Sequence, residues 1–222
     1  GPAEHMLKDK DNNWHKFMMK AYNELDRDFV RSFLENFLIN AGMAGIKQKK
    51  ELREKYDCNI PWAILFDPTS ACNLHCKGCW AADYGNKISI TIEQWDSIIT
   101  QGKELGTYMF IYSGGEPLVR RREIIEMCEK HDDCIFLAFT NGTLIDENFT
   151  DEMLRVKNFI PAISIEGYRE QTDARRGEGC YDAVRRAMVL LNERKLPFGA
   201  SICYTSANTH IVGSEKYFDD LI

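Results

Sequence analysis

The first part of the chain has the hydrophobic period of a helix, up to about Cys58. Apolar residues repeat at a spacing of four and form a wide stripe: Phe29, Val30, Phe33, Leu34, Phe37 and Leu38. This spacing places the six side chains on one side of a helix. Gly42 and Gly45 follow, and glycines after a periodic run are typical helix stops. We therefore expect an N-terminal helical segment, followed by a charged helix or linker over residues 47–55.

From Pro61 onward, short apolar runs alternate with amphipathic segments. Five runs have the length and composition of buried strands: Ala63–Phe66, Tyr108–Tyr112, Ile135–Phe139, Ala162–Ile165 and Ala200–Tyr204. The segments between them predict one helix that begins after the cap Thr91, further helices at Glu123–Lys130, Glu147–Val156 and Asp182–Arg194, and the start of another near Glu215. Regular alternation of strands and helices predicts an α/β fold with a parallel sheet.

Small and polar residues follow every predicted strand. Three cysteines come after the first strand, and the later strands run into residues 113–117, 140–143, 164–167 and 205–208. The active site of a β/α barrel is built at the carboxyl ends of its strands, whereas an open doubly wound sheet uses one switch point. Five contributing strands out of five favour the barrel-like fold.

Composition narrows the function classes. The 222 residues are 44% hydrophobic, and the formal net charge is −6. This hydrophobic fraction is sufficient for a folded core, and the negative net charge argues against a nucleic-acid partner. No apolar run is long enough for a membrane span, and no signal peptide is recognisable. We expect a cytoplasmic protein whose first five residues, Gly-Pro-Ala-Glu-His, are a tag remnant before Met6, and whose cysteines are thiols or metal ligands.

Three of the eight cysteines, Cys72, Cys76 and Cys79, lie within eight positions. Structural zinc takes four ligands, commonly in two close pairs, and no second pair follows here. His75 is a possible fourth ligand, although it lies inside the loop. An iron–sulfur cubane normally takes four thiolates, so three would leave one iron open to another ligand. The triplet therefore favours an iron–sulfur cluster with an open coordination position, with zinc as the alternative.

The Cys-x-x-x-Cys-x-x-Cys loop after the first strand, with Gly-Gly-Glu-Pro at 114–117 after the second, resembles the radical S-adenosylmethionine (radical SAM) superfamily. The resemblance covers roughly Pro61 to the C-terminus. It implies a partial (β/α)₆ barrel, a 4Fe–4S cluster on the three cysteines, and S-adenosylmethionine bound to the open iron. It also implies reductive cleavage of S-adenosylmethionine to a 5′-deoxyadenosyl radical that abstracts a hydrogen atom from a substrate.

The residues that would bind S-adenosylmethionine follow from the polar loops and from the resemblance. Gly114 and Gly115 allow close backbone approach, and the Glu116 carboxylate can accept from the methionyl amine. Ser164 and Glu166 share a strand face, although relatives commonly carry aspartate in place of Glu166. The remaining expected contacts are Asn141, as an alternative to a plain Asn-Gly turn, and Arg176 on the methionyl carboxylate, with Arg175 as its rival.

The sequence and the resemblance also predict the domain organisation of the chain and its partners. The sequence predicts a helical extension over residues 1–58 and a radical SAM core over residues 59–222. A six-stranded barrel would continue past the fifth strand, so the core is expected to be incomplete at the C-terminus. The resemblance implies an electron donor such as flavodoxin or ferredoxin and a substrate that is a peptide or a small molecule. The alternative function is a non-enzymatic iron–sulfur domain for electron transfer or sensing.

Overall fold

A computed structural model describes residues 8–81, 85 and 87–221 of the chain. The expected tag remnant at residues 1–5 lies outside the described residues. None of the helices in these ranges combines the length and the hydrophobicity needed to cross a bilayer.

A single parallel sheet organises the molecule, and it confirms the predicted α/β fold. Within the described ranges its five strands are hydrogen-bonded in sequence order, β1 to β5. The strands are β1 Ala63–Phe66, β2 Met109–Tyr112, β3 Ile135–Thr140, β4 Phe159–Ile165 and β5 Gly199–Ile202. The sheet is open between β1 and β5, as in part of a β/α barrel. All five strand carboxyl ends therefore meet at one rim.

Helices follow every strand, and the sequence does not predict two of them: Arg169–Arg176 after β4 and Thr209–Val212 after β5. Those of the strand-helix region are α4 Ile92–Glu104, α5 Arg121–Lys130, α6 Glu147–Val156, α7 Arg169–Arg176, α8 Cys180–Glu193, α9 Thr209–Val212 and α10 Glu215–Leu221. A 3₁₀ turn at Pro117–Arg120 precedes α5. Helix α4 begins as predicted: the Thr91 hydroxyl accepts from the Gln94 N–H, and the Gln94 side chain accepts from the Thr91 N–H. This reciprocal cap satisfies two donors that a helix start otherwise leaves unpaired.

The two faces of the sheet differ in burial. Phe66 and Tyr112 pack edge-on against Trp95 of α4, so alternate residues of β1 and β2 face the helices. The opposite, concave face carries a row of register partners: Leu65, Ile111, Leu137 and Ile160. Leu65 on this face keeps 55% of its surface exposed. The main apolar core thus lies between the sheet and its helices, and the concave face stays open.

The helical N-terminal segment packs under the sheet, at the end opposite the polar loops. It comprises α1 Asn13–Glu24, α2 Arg27–Phe33, a π-helical stretch Leu34–Ala44 and α3 Gly45–Tyr56. Asn36 donates to the carbonyls of Asp132 and Cys134, just before β3. The buried Lys49 ammonium donates to the Gly106 carbonyl at 3.0 Å, just before β2. Side-chain amides and an ammonium therefore satisfy loop carbonyls at the bottom of the sheet.

Two expectations for this segment are wrong. The helix passes through Gly42 and continues from Gly45 into α3, so neither glycine is a stop. Leu34 and Leu38 remain about half exposed, although the predicted stripe places them on the same side of the helix as Phe33 and Phe37. Close packing explains the glycine at position 45 instead, since a Cβ there would lie 2.4 Å from the Gly106 carbonyl oxygen.

Gly45→Ala is expected to destabilise the fold by about 1–3 kcal/mol, because the added methyl group overpacks the contact between α3 and the loop before β2. The measurement is the free energy of unfolding in urea. Gly199→Ala is the control, since its Cβ would meet only Ala162 atoms at 4.0 Å, an ordinary contact. Equal stability of the two variants would contradict the close packing of α3.

Candidate active site

The three clustered cysteines line two adjoining cavities at the rim of the sheet. The first, the cysteine cavity, has a volume of about 250 Å³ and is lined by Cys72, Cys76 and Cys79 together with His75 and Gly115. Burial raises the pKa of the Cys72 and Cys76 thiols. Within the described ranges, no three His, Cys, Asp or Glu side chains converge closely enough to hold one metal ion.

The second, the loop cavity, brings most of the predicted residues together. Its lining includes the three cysteines and these predicted cofactor residues: Gly114, Gly115, Glu116, Asn141, Ser164 and Arg176. Its volume is about 140 Å³. The rival residue Arg175 lines it as well, and Trp80 forms part of its wall. Loops after four strands therefore contribute to one site, although they are up to about a hundred positions apart in sequence.

The Gly-Gly loop after β2 is packed directly against the chain that leads into Cys72. The Gly115 N–H donates to the Thr69 carbonyl at 3.0 Å, and the Glu116 N–H donates to the Ala71 carbonyl at 2.8 Å. A Cβ on Gly115 would lie 2.2 Å from the Ala71 carbonyl oxygen. No side chain fits there, so glycine is required for the contact between the two motifs.

Glu116 is a buried brace between loops. Its Oε1 accepts from the Leu118 N–H and the Thr140 hydroxyl, and its Oε2 accepts from the Asn141 N–H at 2.7 Å. Burial raises the pKa of this carboxyl, and the three donors oppose that effect. The carboxylate thus fixes the loop after β3 to the loop after β2. A contact of Glu116 with a methionyl amine stays a prediction.

Glu116→Gln is expected to lower the free energy of unfolding by about 2 kcal/mol. The NH₂ group of the glutamine amide would face an N–H or O–H group from which the Glu116 carboxylate now accepts a hydrogen bond. Chemical denaturation measures the change. The matched control is Glu126→Gln, since Glu126 is an exposed acid on α5. A Glu116→Gln variant as stable as this control would show that the three hydrogen bonds do not brace the site.

Asn141 forms the predicted turn and also reaches the cysteine loop. Its Oδ1 accepts from the N–H and hydroxyl of Thr143, and its Nδ2 donates to Asn73 Oδ1 at 2.8 Å. Asn73 in turn donates to the Thr143 hydroxyl. Sequence reasoning missed Asn73 as a positioning residue, although it lies between two of the cysteines. Asn73 and Asn141 together anchor the cysteine loop to the loop after β3.

Glu166 and the two rival arginines form a buried ion triad. Glu166 Oε1 accepts from Arg175 NH1 at 2.6 Å and from Arg176 Nε and NH2 at 3.0 and 2.6 Å. The sequence predicts Arg176 as the cofactor contact and Arg175 as its rival, but both lie on α7 and both pair with Glu166. The Nε edge of Arg176 is occupied by Glu166, which leaves its NH1 group for another acceptor.

A third cavity adjoins this triad. The side cavity, about 480 Å³, lies between α7, the loop after β5 and the cysteine loop, and its lining includes Lys77, Glu166, Gln171 and Arg175. Glu166 Oε2 and Gln171 Oε1 are buried and have no hydrogen-bond partner among the residues that the structure describes. Buried acceptors in native proteins nearly always have a partner. Glu166 and Gln171 both belong to the lining of the side cavity, although these two oxygens have almost no accessible surface in it.

Comparison with known proteins agrees with these features. The model of the Radical SAM superfamily matches residues 66–212. An uncharacterized protein of Archaeoglobus fulgidus is 30% identical over 188 residues, which cover 82% of this chain and 44% of that protein. The Fe-coproporphyrin III synthase of Methanosarcina barkeri is 27% identical over 152 residues, which cover 65% of this chain and 37% of the synthase.

Solved structures share the fold. The structure of anSMEcpe with bound AdoMet and Cp18Cys peptide superimposes with a TM-score of 0.61 and 26% identity, over 72% of this chain and 48% of that chain. The chain thus spans less than half the length of these relatives. Because the superfamily model matches more than half of the residues, and its match includes the cysteine loop and the Gly-Gly loop, the chain belongs to the Radical SAM superfamily.

Proposed function

We propose that this chain is the core of a radical SAM enzyme that holds a 4Fe–4S cluster on Cys72, Cys76 and Cys79. The observation that carries the proposal is the shared cavity. Three thiols that can ligate iron line the same space as the Gly-Gly loop, Ser164 and Arg176. A purely structural cluster, or one used only for electron transfer, needs no such ligand-binding residues around it.

The donor set fits the cluster. Thiolates are the usual protein ligands of cubane clusters, and three of them leave one iron open. The loop that carries them is held without the thiols of Cys76 and Cys79: the Lys77 N–H donates to the Arg175 carbonyl, and the Gly-Gly loop donates two backbone N–H groups to carbonyls of the chain before Cys72. When reduced, such a cluster supplies the electron that splits S-adenosylmethionine into methionine and a 5′-deoxyadenosyl radical, which abstracts a hydrogen atom from the substrate.

The same rim fits the two ends of S-adenosylmethionine. At the loop cavity, Arg176 NH1 can donate to the methionyl carboxylate, and the Ser164 hydroxyl is available for a polar contact. The side cavity, which Glu166 and Gln171 line, is the space that we propose for the ribose and adenine end.

Substrate and electron donor are also proposals. The resemblance leaves a peptide or a small molecule as the substrate, and the sequence does not separate the two. The compared proteins include a porphyrin synthase by name and a structure with a bound peptide, so both classes have precedent among relatives. We propose flavodoxin or ferredoxin as the reductant, since the reaction needs one low-potential electron for each cleavage.

The experiment is anaerobic reconstitution with iron and sulfide, reduction in the presence of S-adenosylmethionine, and mass analysis of the nucleoside products. Formation of 5′-deoxyadenosine supports the proposed enzyme. A loaded, reducible cluster that leaves S-adenosylmethionine intact would support the alternative, an electron-transfer or sensing domain, and would overturn the proposal. The reaction without reductant is the control, because cleavage requires the added electron.

A further inference from the structure

Asp67 lies at the mouth of the concave face, beside the loop cavity. It follows Phe66, whose ring faces the helices, so Leu65 and Asp67 belong to the opposite side of the strand. A Cβ on Gly114 would lie 2.9 Å from Asp67 Cβ and 3.2 Å from its Cγ. Because Gly114 lines the loop cavity, this contact places the Asp67 side chain next to the site.

The Asp67 carboxylate differs from the other two acids at this rim. Glu116 accepts three hydrogen bonds, and Glu166 is paired with two arginines. Asp67 makes no side-chain hydrogen bond or ion pair with any residue in the described ranges. Partial burial against the Gly-Gly loop raises the pKa of Asp67. Among these three carboxylates, Asp67 alone makes no hydrogen bond or ion pair within the described ranges, and its side chain is exposed to solvent.

The surface next to Asp67 is apolar and open. Leu65 is 55% exposed, and Phe139 in the wall of the loop cavity is 40% exposed. Ile111 and Leu137 continue the same face from Leu65 across the sheet. A ligand with an aliphatic stem and a cationic end would match both features, since the stem can lie on leucine while the cation stays near the carboxylate.

We propose that Asp67 is a specificity-determining residue that binds a cationic nitrogen of the substrate, with the aliphatic part of that substrate lying along Leu65. The inference rests on the proposed function, because it assigns the substrate class of the same site. Charge complementarity carries it: the two rim arginines, Arg175 and Arg176, are balanced by the two carboxylates Glu166 and Glu116, so among these side chains the remaining charge is that of Asp67.

The test compares three probes of equal length on the cluster-loaded protein with S-adenosylmethionine: hexylammonium, 1-hexanol and hexanoate. Equilibrium dialysis gives each dissociation constant. Wild-type protein is expected to bind hexylammonium about fivefold more tightly than 1-hexanol, the effect of one partly exposed ion pair of about 1 kcal/mol. Hexanoate is expected to bind most weakly, and 1 M salt is expected to reduce the preference.

Four variants test whether Asp67 causes the preference for hexylammonium over 1-hexanol. Asp67→Asn is expected to bring the hexylammonium-to-hexanol ratio close to one, and Asp67→Glu to keep most of it. Leu65→Ala is expected to weaken both probes by the same factor, and Glu126→Gln, an exposed acid on α5, to change nothing. Iron content per chain checks that each variant folds, and Asp67→Glu keeps the test valid if Asp67→Asn does not load.

The inference is overturned if wild type shows no preference for the ammonium, if no probe binds, or if the preference survives in Asp67→Asn. This readout is a binding ratio and does not depend on turnover. Failure of the proposed function shows up separately, as the absence of 5′-deoxyadenosine from reduced wild-type protein.

Discussion

Cys76→Ala is expected to lower the bound iron from about four atoms per chain to background and to abolish 5′-deoxyadenosine formation. Two remaining thiolates cannot hold a cubane stably. Cys76 is the best position for the test, because the hydrogen bond that the loop uses there is made by its backbone: the Cys76 carbonyl accepts from the Cys79 N–H. The measurements are iron and sulfide content, the visible absorption of the cluster, and nucleoside analysis.

Cys58→Ala is the matched control for this prediction. Cys58 is an exposed free cysteine just after α3, outside the cysteine loop. We expect this variant to load iron like the wild type. Full iron loading of Cys76→Ala, or loss of iron from Cys58→Ala, would contradict the assignment of the ligands.

Glu166→Gln is expected to destabilise the protein by about 3 kcal/mol and to weaken S-adenosylmethionine binding. Removing one partner of a buried ion pair leaves the other charges uncompensated, which typically costs 3–5 kcal/mol. The lower value applies, because Arg175 keeps 23% of its side-chain surface exposed. For a chain of this size the melting temperature should fall by about 6–12 °C.

Two controls make this prediction specific. Glu166→Asp keeps the charge and is expected to lose less stability. Glu129→Gln removes the same charge from an exposed pair with Arg155 and is expected to cost less than about 1 kcal/mol. Similar melting temperatures of Glu166→Gln and Glu129→Gln would contradict the triad. Separate Arg175→Gln and Arg176→Gln variants then show which guanidinium contributes more to S-adenosylmethionine affinity.

The sheet could be predicted from the sequence because each strand is a short apolar run that ends in a small, polar loop. The start of α4 was predictable from Thr91 and Gln94, since a capping box is a local pattern. Strand β4 begins at Phe159, three residues earlier than predicted, and therefore includes Pro161. Proline inside a run of residues normally argues against a strand. Pro161 pairs with Ala138, but the β5 pairing starts at Ala162, so the missing N–H of proline costs no ladder hydrogen bond.

Helix α7 was missed for a different reason. Its sequence, Arg-Glu-Gln-Thr-Asp-Ala-Arg-Arg, has no apolar face, so hydrophobic periodicity gives no signal. Glu170 in its first turn, the arginines in its last turn and the following Gly177 are end signals that could have indicated it. The triad itself was not predictable, because it depends on the tertiary placement of α7 above β4.

The contacts of the N-terminal segment were also beyond sequence reasoning. The amide of Asn36 and the ammonium of Lys49 bind carbonyls more than fifty positions away in the chain. Polar side chains on a helix carry no local sign of such partners. The division into an extension over residues 1–58 and a core over residues 59–222 stays a prediction, and Phe29 of the extension packs into the main core.

The central claim is that three cysteines hold a cluster whose remaining iron binds S-adenosylmethionine. Electron paramagnetic resonance of the reduced, reconstituted protein tests it most directly, with spectra recorded before and after S-adenosylmethionine is added. We predict a cubane signal whose g values shift on addition, because the ligand coordinates the open iron. Identical spectra in the presence of saturating S-adenosylmethionine, or no cubane signal at all, would contradict the claim.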